Sequence, residues 1–421
     1  MLESIKSFNS TVWFIIIQTL LSRFTMFMVW PFLALILHDK FGLNEFEIGL
    51  FLSLSLVFGI IVGFFAGNIS DKIGREKVIL VGLLVNVVAM LIMGMADNLY
   101  LFFIGSILQS ISRSLVENPG KALMTDILKN QKVKEMSLHL RYFAINIGAA
   151  FGPIVGINLG FTGQQNTFNL VALTYFISFL IAISIFKIKE LKKVTVKNDN
   201  QSFKTLFSIL KQDHAFLIFI FANALTFMCF IQIDAGLLQY LRIANFEEVT
   251  KLYATLIFVN GMTIILLQFL LLKLLHNFAP LVKGMIGISL FVLAFITFAY
   301  VEHGNSTGII LAMVILSIGE VILFPTINII IDKMAPSHLK GSYFGVAELS
   351  VIGVALAPLL GGFLLEVYDG KVLWLCMAAI SFVVSILLFI AQTAKRPEVV
   401  LLEDDKQNDL NVDLLKINNQ N

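Results

Sequence analysis

The sequence predicts an all-α membrane protein with about twelve transmembrane helices in two six-helix pseudo-repeats. Three observations support this fold class: the composition, the number of long apolar stretches and an internal repeat. Of the 421 residues, 58% are hydrophobic and 14% are charged, whereas soluble domains average about 45–50% apolar and about 25% charged residues. Lipid is the solvent that accepts such an apolar surface, so we expect the chain to be embedded in a bilayer.

Apolar stretches of the length that crosses a bilayer, about 20 residues, occur twelve times. We predict spans at 11–37, 47–67, 78–96, 99–126, 138–159, 168–187, 215–241, 253–275, 283–301, 308–331, 342–365 and 372–394. No small-residue cleavage site follows the short polar start, so we expect the first stretch to remain as a span.

The distribution of lysine and arginine predicts the orientation. Basic residues are concentrated in alternate connections, including 67–77 and the polar segment 188–212. Because basic loops remain in the cytoplasm, both termini are expected inside, in a cell inner membrane. The predicted organisation is an N-terminal half (1–187), a cytoplasmic linker (188–212), a C-terminal half (213–394) and a polar cytoplasmic tail (395–421).

The two halves repeat each other at an offset of about 206 residues. The sequence from Gly148 to Gly156 in the fifth span matches the sequence from Gly353 to Gly361 in the eleventh. Pro119 in the fourth span corresponds to Pro325 in the tenth, and each proline is expected to kink its helix. Repeats in the same orientation are expected of transporters whose halves rock about a central site.

Several classes of function are disfavoured. The net charge of +2 is too small to indicate nucleic acid as a partner. Cys229 and Cys376 lie in apolar runs without neighbouring ligands, so neither a disulfide nor a metal site is indicated. The chain has no Gly-x-x-x-x-Gly-Lys-Ser/Thr loop, His-Glu-x-x-His or Gly-x-Ser-x-Gly sequence. We therefore expect no enzymatic activity, no cofactor and no metal.

Two motifs indicate a family. The segment after the second span reads Gly67-Asn-Ile-Ser-Asp71-Lys72-Ile-Gly74-Arg75-Glu76-Lys77. It resembles motif A of the major facilitator superfamily, with Lys72 and Glu76 as departures. In the fifth span, Gly148-x-x-x-Gly152-Pro153-x-x-Gly156 resembles motif C of the drug:proton antiporter branch. The resemblance covers essentially the whole chain and implies the major facilitator fold.

The motif A residues are expected to form a cytoplasmic gate. Glycines such as Gly67 and Gly74 permit tight turns and close helix approach, and Asp71 can face a helix N-terminus, whose dipole favours an anion. The resemblance implies that this helix is the eleventh, beginning near Gly341. It also implies that Arg75 and Asp126 complete a charge cluster that latches this side shut. The alternative is that the basic residues of the segment only fix the topology.

The motif C residues are expected to form a packing seal. Gly148, Gly152 and Gly156 recur every four residues, with Gly160 extending the row, and small residues at this spacing let membrane helices touch. The alternative is a generic packing face. The fourth span departs from the family, because Ser106 stands where motif B has an arginine. Arg113, two turns further along, is a candidate replacement.

Charged residues inside the predicted spans are the candidate cavity and proton-coupling residues, because a charge at the centre of a bilayer is costly. They are Arg23, Arg113, Glu117, Arg141, Asp234, Glu320 and Glu348. Some of these charges could instead pair to fix helix packing, as Arg113 and Glu117 could one turn apart. The segments around Asp234 and Glu320 resemble acidic cavity positions of multidrug:proton antiporters.

The leading functional hypothesis is export of amphiphilic small molecules in exchange for protons by alternating access. Protonation of Asp234 or Glu320 would displace a cationic or neutral substrate. A second hypothesis is proton-coupled transport of one specific metabolite, such as a peptide or siderophore, because arginines suit carboxylate-bearing substrates. A membrane receptor that does not transport is a third. The expected partners are a small-molecule substrate, protons and the lipid bilayer, and the protein is expected to be a monomer.

Overall fold

The computed structural model describes residues 6–128, 130–186, 211–302, 304–335, 343 and 346–396. These residues form α-helices joined by short turns, with two short 3-10 helices. Twelve of the helical segments are long and apolar enough to cross a membrane. The predicted fold class, with twelve spans in two halves, is confirmed.

In the N-terminal half, the first span is interrupted. Its helix Ser10–Phe27 is followed by a 3-10 turn, Trp30–Phe32, and a second helix, Leu33–Phe41. Pro31 lies inside that turn, and proline cannot donate the backbone hydrogen bond that a continuous helix needs. The other five helices are Glu45–Ile73, Arg75–Met95, Leu99–Ile127, Gln131–Asn158 and Thr167–Ile185.

In the C-terminal half, the seventh span is interrupted at a comparable depth. It consists of His214–Phe230, a short turn of helix Gln232–Ala235, and Leu237–Ile243. The eighth to tenth helices are Val249–Leu274, Pro280–Tyr300 and Ser306–Met334. In the eleventh span, a 3-10 turn at Glu348–Val351 leads into helix Ile352–Val367, and the twelfth span is Gly370–Thr393. The helices run through Pro119 and Pro325.

Side-chain caps explain where several helices begin. Asn44 accepts a hydrogen bond from the Glu47 backbone N–H, and the Glu47 carboxylate accepts one from the Asn44 backbone N–H. This reciprocal capping box satisfies two amides that the first helical turn leaves free. Asn98 and Asp369 cap the fourth and twelfth helices with their side chains.

We call the side on which the first helix begins the linker side, because the sixth span ends and the seventh span begins there, and the opposite side the far side. The predicted connection 67–77 on the linker side is much shorter than expected. The second helix continues to Ile73, and only Gly74, with φ of +104°, separates it from the helix that begins at Arg75. Gly67 therefore lies in a helix, since polar residues can extend a helix beyond its apolar part, and Gly74 makes the turn.

The small residues of the fifth span pack against the first span of the same half. A Cβ atom added at Gly148 would lie 2.7 Å from Arg23 Cβ, and one at Gly152 would lie 2.6 Å from the Phe24 carbonyl oxygen. In the C-terminal half, Gly353 makes the same kind of contact with the Ala224 carbonyl oxygen. The expectation that Gly160 extends the row is wrong: the helix ends at Asn158, and Gly160 lies in a left-handed turn with open space beside it.

Close contacts between the two halves lie towards the far side. Arg242, at the end of the seventh span, forms a salt bridge with Glu45 at the start of the second span. The Leu359 backbone N–H in the eleventh span donates to Ser53 Oγ at 3.0 Å. The Phe151 and Phe258 rings of the fifth and eighth spans pack edge to face, 5.4 Å apart. These contacts close the space between the halves on the far side.

A polar cluster joins helix ends on the linker side of the C-terminal half. The fully buried Asp213 caps the seventh span through the Phe216 N–H. The Asp213 carboxylate also accepts hydrogen bonds from the Tyr343 hydroxyl at 2.8 Å and from Arg396 Nη2 at 3.3 Å. Burial, together with the hydrogen bond to Asp213, raises the pKa of Tyr343, so the hydroxyl remains a donor.

Candidate substrate cavity

A cavity between the halves collects most of the charged side chains that were predicted inside the spans. The N-terminal half contributes Arg23, Arg113, Glu117 and Arg141, and the C-terminal half contributes Asp234. Further lining comes from polar and apolar side chains of the first, third, fourth and sixth spans, including Gln18, Gln109, Trp30 and Tyr175. The cavity thus brings residues that are far apart in sequence to one place.

Glu117 lies between two arginines. Arg23 Nη2 forms a salt bridge with Glu117 Oε1, and Arg113 Nε donates to the same oxygen at 3.1 Å. The pairing of Arg113 with Glu117 was one of the two alternatives raised by their spacing. Sequence spacing did not indicate that Arg23 joins them, because its partner is 94 residues away.

Arg141 lines the same cavity but has a different environment. The residue is only 6% exposed, and its Nε atom is buried without a hydrogen-bond partner. Within the part of the chain that the structure describes, Arg141 forms no hydrogen bond or salt bridge. It lies two helical turns before Gly148 and hence on the same face of the fifth span. The close approach at Gly148 therefore brings Arg23 of the first span near Arg141.

Asp234 is the acid that the C-terminal half presents to this cavity. It is exposed, and it occupies the short helix Gln232–Ala235 between the two interruptions of the seventh span. Its carboxylate forms no hydrogen bond or salt bridge with any described residue, but it lies within electrostatic range of Arg113 and Arg23. The interruptions are held by Gln232, whose side-chain amide donates to the Ala357 carbonyl at 2.7 Å.

Glu320, a predicted cavity residue, does not line the cavity. It is 8% exposed and is not among the residues lining the cavity. Its carboxylate accepts a hydrogen bond of 2.6 Å from Asn260 Nδ2 in the eighth span, and the same nitrogen contacts Ser317 Oγ at 3.0 Å. Asn260 was missed in the sequence, because a single asparagine in an apolar helix does not reveal its partner in another span.

The other predicted site residues lie away from the cavity. Arg75 and Asp126 form a salt bridge of 3.1 Å on the linker side, and Gly148, Gly152, Pro153 and Gly156 belong to the fifth helix packed on the first. The side chains of Asp71 and Glu348, and residue Gly341, lie outside the part of the chain that the structure describes. The gate and seal roles therefore remain predictions.

The arrangement provides charged groups from both halves around one cavity that is closed towards the far side. It contains no group of three or more His, Cys, Asp or Glu side chains, among the described residues, that could hold a metal ion. A polar cavity between two bundles of membrane helices can bind a small molecule. The fold and cavity together define the class of membrane transport proteins.

Comparison with known proteins specifies the family. The profile of the Major Facilitator Superfamily matches residues 15–351. The chain therefore belongs to the major facilitator superfamily, as its motifs predicted.

Relatives extend along most of the chain. It is 29% identical over 364 residues to the uncharacterized transporter YqjV of Bacillus subtilis, covering 86% of this chain and 88% of YqjV. It is 22% identical to a Na(+), Li(+), K(+)/H(+) antiporter of Planococcus maritimus, covering 84% and 89% of the two chains. Identity to the multidrug resistance protein MdtH of Salmonella choleraesuis is 24%, covering 94% and 97%.

Solved structures show the same fold at low identity. A crystal structure of the nucleoside transporter NupG superimposes with a TM-score of 0.76 at 15% identity, covering 91% of this chain and all of NupG. A peptide transporter of the POT type gives a TM-score of 0.74 at 15% identity, covering 91% and 94% of the two chains. These similarities support the fold.

Proposed function

We propose that this protein is a proton-coupled secondary transporter that moves a small molecule by alternating access. The observation that supports the proposal best is the meeting of charges from both halves: Asp234 of the C-terminal half faces a cavity that otherwise takes its charges from the N-terminal half. Rocking of the halves would change the surroundings of this acid, so its proton affinity can be coupled to the exposed side.

Export of amphiphilic compounds in exchange for protons is the form of this function that the relatives support, since MdtH is named a multidrug resistance protein and another relative a cation/proton antiporter. In this form, protonation of Asp234 would displace a cationic or neutral substrate directly, whereas Glu320, outside the cavity lining, would act through its charge on Asp234. Coupling requires only that the acid bind either the proton or the substrate.

A second form of the function is proton-coupled transport of one specific metabolite, such as a peptide or siderophore. Three arginines line the cavity, and the planar guanidinium fork suits carboxylate groups. This observation favours a substrate that is itself an acid. Membership of a transporter family argues against the third hypothesis, a receptor without transport.

The test is transport into proteoliposomes driven by an imposed pH gradient, with cationic and anionic substrates supplied in parallel. Accumulation of any substrate that follows the gradient and stops when a protonophore dissipates it would support proton coupling. Uptake that is insensitive to the gradient for every substrate would contradict it. The direction in which the substrate moves relative to the protons distinguishes exchange from co-transport.

The remaining assignments complete the proposal. The protein would lie as a monomer in the inner membrane, with both termini, the linker side and the linker 188–212 in the cytoplasm, consistent with its basic residues. The linker would join the halves 1–187 and 213–394, and the tail would comprise 395–421. Arg75, Asp126 and Asp71 would gate the cytoplasmic side. Packing of the fifth span on the first would seal the N-terminal half against leak.

A further inference from the structure

The cavity holds a buried cation, Arg141, that no described residue contacts through a hydrogen bond or salt bridge. Arg141 is 6% exposed, has an unsatisfied buried Nε, and forms no hydrogen bond or salt bridge with any described residue. An isolated buried charge is costly, and natural proteins generally pair such groups. A charge left without a partner at a ligand cavity indicates that the ligand is the partner.

Arg113 supplies further hydrogen-bond donors that also favour an anionic ligand. Only its Nε is engaged by Glu117, at 3.1 Å. Its two Nη groups have no partner among the described residues, and 49% of the side chain is exposed in a cavity-lining position. Arg113 can therefore contact a bound molecule without releasing Glu117.

The charged residues that line the cavity carry a net positive charge, which also favours an anionic ligand. Three arginines line it against two acids, Glu117 and Asp234. Glu117 contacts Arg23 and Arg113 directly and attracts Arg141 only through space. With all five groups ionised, one positive charge remains, and protonation of Asp234 raises it to two, so the cavity favours an anion in either state of that acid.

We propose that the transported substrate is an organic anion whose carboxylate binds Arg141 and Arg113 in this cavity. The inference rests on the proposed transport function and deepens its second form. Arginine presents parallel N–H donors that match the two oxygens of a carboxylate. A buried cation also selects against competitors, because a cationic ligand would add repulsion and a neutral one would leave Arg141 unpaired.

The apolar lining indicates the rest of the molecule. Met26, Phe27 and Trp30 of the first span and Val116 of the fourth line the same cavity. Aromatic and methionine side chains form adaptable apolar surfaces that accept flat or irregular groups. The substrate would therefore carry an apolar or aromatic portion in addition to its carboxylate.

The position of Asp234 predicts how a proton would be coupled to such a substrate. Ionised Asp234 opposes an anion in the same cavity, whereas the protonated side chain does not. Proton and anion would then bind together, which corresponds to co-transport. A cationic substrate would instead compete with the proton. The two forms of the proposed function therefore predict opposite directions of substrate movement relative to the proton.

The experiment compares three ligands of the same shape and different charge. Binding of 4-phenylbutyrate, its neutral amide 4-phenylbutyramide and the cation 4-phenylbutylammonium is measured by calorimetry with the purified full-length protein in detergent. We expect the carboxylate to bind at least about tenfold more tightly than the other two, the range expected for a charge-assisted hydrogen bond. Equal or tighter binding of the cation would overturn the inference, as would no binding of 4-phenylbutyrate up to about 10 mM.

Substitutions locate the site. We expect Arg141→Gln to weaken 4-phenylbutyrate binding about tenfold or more, Arg141→Lys to weaken it less, and Asp234→Asn to strengthen it. The control is Lys251→Gln, which removes an exposed cation outside the cavity and should leave affinity unchanged. Arg141→Gln should also retain thermal stability, because Arg141 forms no hydrogen bond or salt bridge with a described residue. Unchanged affinity in both Arg141→Gln and Arg113→Gln would overturn the assignment.

The outcome for the inference can be separated from that for the proposed function. Driven transport of 4-phenylbutylammonium without carboxylate binding would retain proton coupling and reject the anion site. Binding of 4-phenylbutyrate that depends on Arg141, without any transport that responds to a pH gradient, would retain the anion site and reject proton coupling.

Discussion

The two halves of this protein share a fold but surround their buried acids differently. In the N-terminal half, Glu117 is held by two arginines, Arg23 and Arg113. In the C-terminal half, Glu320 is held by the amide of Asn260, and Asp234 forms no salt bridge with a cation of the described residues. A carboxylate between two cations is fixed in its charged form, whereas one beside an amide can be stable with or without its proton. From this difference we infer that the N-terminal half binds the substrate and that the C-terminal half couples its transport to protons.

The largest expected effect is on coupling in the C-terminal half. We predict that Glu320→Gln abolishes accumulation driven by a pH gradient, because the site no longer exchanges a proton, while exchange of substrate down its own gradient survives. Gln is isosteric, and its carbonyl can still accept from Asn260. Both reactions are measured in proteoliposomes that contain the same amount of protein.

Asp234→Asn is the companion variant for that measurement, since the two acids of the C-terminal half could titrate as a pair. Full driven transport in both variants would contradict the comparison and place the proton site elsewhere, with Glu117 and Glu348 as the next candidates.

The second prediction concerns stability in the N-terminal half. We predict that Glu117→Gln lowers the free energy of unfolding by about 3 kcal/mol, because it leaves two arginines of a partly buried cluster without their shared anion. Glu320→Gln should cost much less, since it removes a buried carboxylate that has no cation partner. Thermal unfolding of the two variants in detergent makes the comparison directly. Equal melting temperatures would show that the two acids have equivalent structural roles.

The third prediction uses the packing of the fifth span on the first. Gly152→Leu should destabilise the protein by about 1–3 kcal/mol and raise proton leak, because its Cβ would lie 2.6 Å from the Phe24 carbonyl oxygen. The repeat counterpart in the C-terminal half is Ala357, which already has a Cβ atom. Gly284→Ala is the control, since its Cβ would meet ordinary contacts at 3.7 Å. Normal leak and normal stability in Gly152→Leu would show that the N-terminal half does not depend on this contact as a seal.

The smallest effect in free energy is expected at the motif A segment, which only the N-terminal half contains. A charge near a helix N-terminus contributes about 0.3–1 kcal/mol, and up to about 2 kcal/mol when partly buried. Asp71→Asn should therefore leave the protein folded but slow its turnover, because it changes the balance between two states of similar energy. Turnover and accessibility of introduced cysteines from both sides are the measurements. Wild-type values for both would remove the gate from the proposal.

The fold was predictable because lipid restricts what a sequence can do. Length and hydropathy define the helices, and the repeat of prolines and small residues between the halves indicates their shared architecture. The spacing of Arg113 and Glu117 indicated their pairing, since residues four apart on a helix are neighbours. These signals are local or periodic, and hence they can be read from one chain.

The site was less predictable because its contacts join distant spans. Helical periodicity places Arg23 or Asn260 on a face, but it does not state which helix that face meets. The salt bridge between Glu45 and Arg242 was missed for the same reason. The mid-span position of Glu320 did not place it in the cavity, because a residue at that depth can also point between helices of one half.

The cluster around Asp213 has a practical consequence for anyone who prepares this protein. Arg396, just beyond the last helix, donates to the fully buried Asp213, and the Lys395 carbonyl accepts a hydrogen bond from the Ala215 N–H. The segment just after the last helix is thereby held to the start of the seventh span. An affinity tag or fluorescent fusion joined after residue 396 would leave these contacts intact, whereas one that replaces Lys395 and Arg396 would remove the cation that pairs with the buried Asp213 carboxylate.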